Sequence, residues 1–491
     1  MKKVFPFETA DAPPIPPKLM LNPLLLSRHV LKFLTHMTIV AKTLRELQGV
    51  QPVRMGKMNR AWLCSALCAF SAAGFAPVIH ATNGYFQIGY GAKSRAMVGA
   101  TTALPQDSLA AAMNPAGMGL IKQQADASLA LFSPIRSASS AFGGTERASE
   151  SDNNLFPIPN VGYVDRFNDR VNIGISIYAN GGMNTTYKTD TAGELSLFGA
   201  DTDLGINMSQ LIFAPTVSFR AAPDHVFGVS LLAGYQQFKA YGLKNFCGLR
   251  ASGCADPYTK LTDQGTDTAH GFGGRIGWMG RINTRWSMGA AYSTKIYMTE
   301  FDKYKDLFAE QGDFDVPENY SVGVALRARH NVTFAFDVQR ILYNDVKSIA
   351  NPGPSLVGMN PFADGQGLMG SATGLGFGWQ DMTVYKLAMV YEKNAFWTWR
   401  AGVSHGKQPI LEDEATFNII APAVIETNVA MGFSYRPGGN NRSEWSVTYH
   451  RAMQNEVKGD FPQAFGGTPG AEEVELKMYE NILDIGYTLR Y

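Results

Sequence analysis

A period of two, sustained through segment after segment and separated by connections of two very different lengths, limits this chain more than any other feature. In 331–340, Val332, Phe334, Phe336 and Val338 share one face of an extended chain, and Asn331, Thr333, Asp337 and Gln339 share the other, because successive strand side chains point to opposite sides. Val171, Ile173, Ile175 and Ile177 alternate in the same way with Asn172, Gly174 and Ser176. So do Trp445, Val447 and Tyr449 with Glu444, Ser446, Thr448 and His450. At the end, Leu483, Ile485, Tyr487, Leu489 and Tyr491 oppose Asp484, Gly486, Thr488 and Arg490. The pattern predicts roughly fourteen strands, near 126–140, 156–167, 170–183, 208–221, 224–240, 267–281, 284–298, 317–328, 331–345, 381–392, 396–407, 424–436, 441–454 and 474–491.

A soluble antiparallel sheet, packed on one face and wet on the other, alternates identically. The connections separate the two readings. Those at Asn168–Asp169, Pro223–Asp224, Asn283–Thr284, Asn394–Ala395 and Pro437–Asn440 are very short, whereas those near 184–207, 241–266, 346–380 and 455–473 are long. Periplasmic turns and extracellular loops differ in this way. After Ala81 no segment is apolar over the ~20 residues that a helical span needs. Strands must therefore make any crossing, and lipid admits them only as a closed barrel. An even strand number returns both ends to one side, and a closing strand that ends in an aromatic residue, here Tyr491, suits recognition by the outer-membrane barrel assembly machinery. The expected fold class is all-β, a transmembrane antiparallel β-barrel over 126–491. Composition agrees, with 50 Gly, 29 Phe, 20 Tyr and only 17% charged residues. With 43 basic and 42 acidic residues, the charge balance gives no reason to expect a nucleic-acid partner.

The front of the chain reads as an address. Lys57 and Arg60 precede an apolar run from Ala61 to Phe75, and a cleavage point follows Ala81. This is a secretory leader over 55–81, too short for a membrane helix. Residues 1–54, with Pro13, Pro14, Pro16 and Pro17, are read as a misassigned N-terminal extension, the rival reading being a short amphipathic helix. Cleavage removes Cys64 and Cys68. Cys247 and Cys254 remain, with six residues between them in a polar segment, which suits a disulfide loop in an oxidising compartment. A free thiol pair is the alternative. No histidine cluster accompanies them, so no metal site is expected.

Residues 82–125 show no sustained alternation, and a barrel of about fourteen strands has a lumen that needs filling. An N-terminal plug, or hatch, is expected there, the alternative being a periplasmic tail. The stretch NGYFQIGYGAKSRAMVGATTALPQDSLAAAMNPAGM, with its Asn114, Pro115 and Ala116 triplet, resembles the hatch of the FadL/TodX (OmpP1) family. GWQDMTVYKLAMVYEKNAFWTWRAGVSHGKQPI, carrying Gly378, Trp379, Arg400, Ala401 and Gly402, resembles a second segment of that family. The likeness covers 82–491 in layout and is specific at these two stretches.

The resemblance implies a fourteen-stranded outer-membrane barrel with a hatch, which passes long-chain fatty acids or aromatic hydrocarbons through the lumen and sideways through its wall. It needs no cofactor and implies three kinds of partner: a hydrophobic ligand, outer-membrane lipid and the assembly machinery. A monomer is expected. Tyr85 and Phe86, beside Asn83, are candidate ligand contacts, as the family's N-terminal residues are. The loop 346–380 is unusually apolar for an exposed segment, which makes Leu356, Met359, Phe362, Leu368 and Phe377 candidate capture residues, alongside Val357, Met369 and Leu375. Packing as a loop cap explains them equally. Family members loosen the third strand, and Gly181 and Gly182 are the candidates for such an opening, although glycine at a strand end is also an ordinary turn residue. A general porin is the main rival, with Arg275, Lys295, Asp337, Lys386 and Asp484 lining water, and a structural or adhesive barrel is a third reading. No nucleophile elbow, phosphate loop or two-histidine metal pattern is present, so no enzyme is expected, a barrel lipase being the form one would take.

Overall fold

The computed structural model describes residues 83–189, 196–254, 259–439, 442–468, 470 and 473–491. The expected extension, the expected leader with Cys64 and Cys68, and Thr82 lie outside the described residues.

Fourteen long strands close into an antiparallel barrel. They are β1 Gln124–Ser140, β2 Phe156–Arg166, β3 Val171–Asn184, β4 Gly205–Ala222, β5 His225–Tyr241, β6 Asp267–Arg281 and β7 Trp286–Ser293, followed by β8 Asn319–Arg329, β9 Val332–Ile341, β10 Met382–Glu392, β11 Trp397–His405, β12 Thr427–Tyr435, β13 Ser443–Asp460 and β14 Glu473–Arg490. Each pairs with the next, and β14 returns to β1 from Gln124↔Arg490 to Ser139↔Glu475. Closure removes the unpaired edge that hydrocarbon could not satisfy. Two short strands, Arg147–Glu150 and Tyr297–Met298, attach to β1 and β6. Among the described residues no helix is long and apolar enough to cross a membrane.

The faces follow the alternation. Phe334 and Phe336 are exposed while Asp337 and Gln339 are buried, and Trp445, Tyr449, Leu483 and Ile485 are exposed while Glu444, Thr448, His450 and Asp484 are buried. Leu387, Met389, Val403, Val429 and Met431 continue the outward apolar band. At the short-turn end aromatic rings pair, Trp397 with Tyr435 at 4.7 Å and Trp445 with Tyr487 at 4.8 Å. Such amphipathic rings suit the membrane interface.

Several strand ends differ from expectation. β13 runs to Asp460 rather than 454, because Lys458 pairs with Glu475 at 3.0 Å and Lys477 with Glu456 at 3.7 Å, which carries the β13–β14 ladder beyond the apolar band. The expected loop 455–473 shrinks accordingly to 461–472. β7 stops at Ser293 rather than 298, and β9 stops at Ile341, where the helical turn Tyr343–Asp345 replaces its expected end. Two further long loops, 294–318 and 406–426, open on the same side as the others. The wall is uneven in height. β1, β4, β5, β13 and β14 have 17 or 18 residues, and β7, β11 and β12 have 8 or 9.

Residues 83–119 sit inside the barrel, with a short helix α1 at Gly91–Arg95 and 3-10 turns at Ala110–Ala112 and Pro115–Leu120, and the chain emerges at the exposed Leu120. Inward glycines let the backbones approach. A Cβ on Gly228 would lie 2.2 Å from the Pro115 carbonyl carbon, inside any tolerable contact. This is one physical reason for the high glycine content.

Candidate ligand chamber

The turn-side half of the lumen is closed by directional contacts. Asn114 is the hub of the triplet. Its Oδ1 accepts from the Ala116 N–H at 3.0 Å, capping the turn that begins at Pro115, and its Nδ2 donates to the carbonyls of Thr102 at 2.9 Å and Trp278 at 3.0 Å. A single amide thus shapes the plug and fastens it to β6. Around the wall, Ser176 donates to Ser108 O at 2.9 Å, Ser218 to Pro115 O at 2.6 Å, and Thr448 to Ala92 O at 2.7 Å. The Arg95 guanidinium pairs with Asp484, both fully buried, and Lys93 pairs with Glu444 at 3.1 Å.

The charged residues considered above as the lining of a water-filled pore do not line one. Arg275 donates to Ala111 O at 3.0 Å, Asp337 accepts from the Thr102 N–H at 2.8 Å, Lys386 donates to Gln339 Oε1 at 2.8 Å, and Asp484 holds Arg95. Lys295 lies past the end of β7, 3.7 Å from Asp315. Buried charge needs partners, and the plug supplies several of them.

The loop-side half is different in kind. A narrow apolar cavity, with about 30 Å³ of free space, lies between Ile206 of β4, Phe238 of β5 and the loops, with Phe246, Phe308, Phe377 and Phe417 among its walls. From it a run of aromatic rings descends to the plug. Phe238 meets Phe308 at 4.7 Å, Phe308 meets Phe314 at 5.0 Å, Phe314 meets Tyr85 at 6.1 Å, and Tyr85 meets Phe86 at 5.2 Å. Tyr343 and Trp379 flank Tyr85 at 5.5 and 6.1 Å. Trp379 is fixed by its indole N–H on Asn418 Oδ1 at 2.6 Å.

The candidate contact residues separate into two groups. Tyr85, Phe86 and Phe377 are buried in this cluster, and Phe362 packs partly against it. Leu356 is half-buried, and Met359 and Leu368 are exposed and do not line the cavity. Phe238, Phe308, Phe314, Tyr343 and Phe417 escaped the sequence reading, and Trp379 entered it only as part of a family segment. The signal available was the aromatic density of 301–314, with Phe301, Tyr304, Phe308 and Phe314 in one irregular loop.

Gly181 and Gly182 lie where the wall is interrupted. β2 and β3 pair only from Arg166↔Asn172 to Asn160↔Tyr178, and β3 is irregular between Ala179 and Gly181. Beyond Tyr178 the edge of β3 is covered from inside by the front of the chain. The Gln87 N–H donates to Asn180 O at 3.0 Å and the Gly182 N–H to Tyr85 O at 3.2 Å, with Phe86 bridged to Gly181. A Cβ on Gly181 would stand 1.9 Å from Tyr85 O, so glycine is required there. Tyr343 clamps this segment, accepting from the Tyr85 N–H at 3.2 Å and donating to Asn83 O at 2.5 Å. Pro157 and Pro159 of β2 face the interruption. Proline within a strand marks an edge, a sequence signal that went unread. They pair with Leu131 and Leu129 of β1, both exposed on the outer face, so the interruption lies at the level of the apolar band. Cys247 and Cys254 form a disulfide within the loop 242–266.

A lipid-facing barrel stoppered by its own front segment, with an apolar chamber above the stopper, defines an outer-membrane transport barrel with an occluded lumen. The chain belongs to the family of outer membrane protein transport proteins (OMPP1/FadL/TodX), whose family model matches residues 87–463. That family is made up of outer-membrane transporters of hydrophobic compounds, not of enzymes. The fold is similar to that of the P. putida toluene transporter TodX, at 17% identity and a TM-score of 0.60 over 82% of this chain and 99% of that one. It is also similar to a Pseudomonas aeruginosa FadL homologue (14%, TM-score 0.59, 83% and 99%) and to the Ralstonia pickettii toluene transporter TbuX (19%, TM-score 0.54, 82% and 99%). No curated protein matches the sequence.

Proposed function

We propose that this protein carries hydrophobic small molecules, long-chain fatty acids or aromatic hydrocarbons, passively across the outer membrane, from the loop-side chamber to the interruption between β2 and β3. The observation that carries the reading is that an apolar chamber lies above a sealed plug and connects by aromatic contacts to Tyr85 and Phe86, the residues that cover the free edge of β3. An apolar solute gains roughly 25 cal/mol per Å² on leaving water, so a greasy chamber collects it without energy input. A sideways exit at the level of the apolar band then spares it a second passage through water. The barrel works as a monomer among outer-membrane lipids, placed there by the barrel assembly machinery, which reads β14 and Tyr491.

The test is a reversible staple across the interruption. Ile158→Cys with Asn180→Cys, oxidised, joins β2 to β3, and uptake of labelled fatty acid or alkylbenzene into vesicles holding the protein is expected to stop and to return on reduction. The parent chain, reduced in parallel, controls for Cys247–Cys254. Undiminished uptake by the stapled protein rules out the lateral route, and absence of uptake by the parent rules out transport.

A further inference from the structure

We propose that the chamber admits uncharged hydrophobes and turns carboxylates away, so that of the two substrate classes in the preceding section the aromatic or aliphatic hydrocarbon is the cargo and the fatty-acid anion is not. The inference rests on the transport reading and narrows it.

The lining carries the first part of the argument. Ile206, Phe238, Phe246, Phe308, Met369 and Phe377 represent it well, and its single polar side chain is Ser348. That hydroxyl already donates to the Asp313 carbonyl. No lysine, arginine or histidine lines the cavity among the described residues. The internal residues outside the described set, 190–195, 255–258, 440–441, 469 and 471–472, contain none either. The cations adjoining the lining in sequence are engaged elsewhere, Lys239 over the Tyr241 ring at 5.2 Å, Lys244 with Asp201 and Lys347 with Glu310 at 2.8 Å. An isolated carboxylate moved into such surroundings loses its hydration and gains no partner, a cost large enough to exclude the charged form.

The roof supplies the second part independently. Glu414 lies against the loop that closes the chamber, its Oε2 accepting from the Gly353 N–H at 2.5 Å, and a Cβ on Gly378 would touch its carboxyl at 2.3 Å. Glu412 and Asp413 precede it, both exposed. A fatty acid that buried its tail and left its head at this roof would meet carboxylates of like charge. A hydrocarbon meets neither obstacle.

The test uses ligands matched in skeleton and differing in charge, butylbenzene against 4-phenylbutanoate and methyl laurate against laurate. Equilibrium binding to the full-length protein in lipid nanodiscs at pH 8 is measured with vesicle uptake alongside. The uncharged member of each pair is expected to bind at least about 100-fold more tightly, and Ser348→Lys, which places a cation in the lining, to raise carboxylate affinity by about tenfold. Affinities within about threefold of each other, with uptake of both members, overturn the inference and leave the transport reading standing. Unchanged carboxylate affinity in a folded Ser348→Lys protein also overturns it. Neither binding nor uptake of any of the four brings down the transport reading, and this inference with it.

Discussion

The two halves of the lumen are built by opposite means. On the turn side, polar groups of the plug pair with polar groups of the wall, as in Asn114 on Trp278, Thr102 on Asp337 and Arg95 on Asp484. Such contacts are directional, and a displaced partner leaves a buried group unsatisfied. On the loop side the contacts are aromatic and aliphatic, from Phe238 through Phe308 to Tyr85. They lack strict geometry and survive rearrangement at small cost. The difference teaches that a seal and a receptor can share one tube when the first is made of bonds that cannot slide and the second of surfaces that can.

The sharpest way to break the comparison is to remove the seal. Deletion of 83–120 is expected to turn a nearly silent protein into one that carries large steady ion currents in planar bilayers and no longer gates uptake. Unchanged conductance would show that the plug does not close the lumen. Next in size is a contrast between the halves. Arg95→Ala leaves Asp484 buried without its cation, a loss of about 3–5 kcal/mol, read as ion leakage and as lost amide-exchange protection of residues 90–100. Phe308→Ala in the chamber is expected to lower ligand affinity by about tenfold with no leakage. Leakage from Phe308→Ala, or a quiet Arg95→Ala, would mean that the halves do not divide the work in this way. The smallest effect concerns the roof. Burial first, and then Asp413, pushes the Glu414 carboxyl up to about 7, against the opposing pull of the Gly353 N–H. A carboxyl raised on folding favours the closed roof fully below its unfolded value of about 4.5 and loses that contribution as pH rises through about 7. Exchange protection at Gly353 and Gly378, corrected for intrinsic rate, should therefore fall several-fold between about pH 5 and pH 8, and Glu414→Gln should flatten the profile.

Much of the barrel was legible because lipid on one side and a packed lumen on the other force every strand into the same two-residue rhythm. Where the rhythm outlasts the membrane, as in β13 to Asp460, charge pairs with the neighbouring strand decide the end, and no single segment displays them. The site was legible only in part. Tyr85, Phe86 and Phe377 stand out as aromatics in segments that must lie inside or above the barrel. Met359 and Leu368 look identical in composition yet are exposed, because whether a loop residue is covered depends on loops distant in the chain. The chamber itself gathers Phe238 from β5 and Phe308 and Phe417 from two separate loops. Gly181 could be suspected as a break in β3, but its partner at the front of the chain could not be read from β3 alone.

The unequal height of the wall bears on what size of molecule can enter. Ile206 and Phe238 project from the tall β4 and β5, held in register by long ladders, whereas Phe308, Phe377 and Phe417 hang from loops that follow β7, β9 and β11, strands of 8, 10 and 9 residues. The chamber is therefore a vice with one fixed jaw and one sprung jaw. On the proposed route, a bulkier guest would displace the sprung side first and leave the barrel circumference and the stopper beneath it undisturbed.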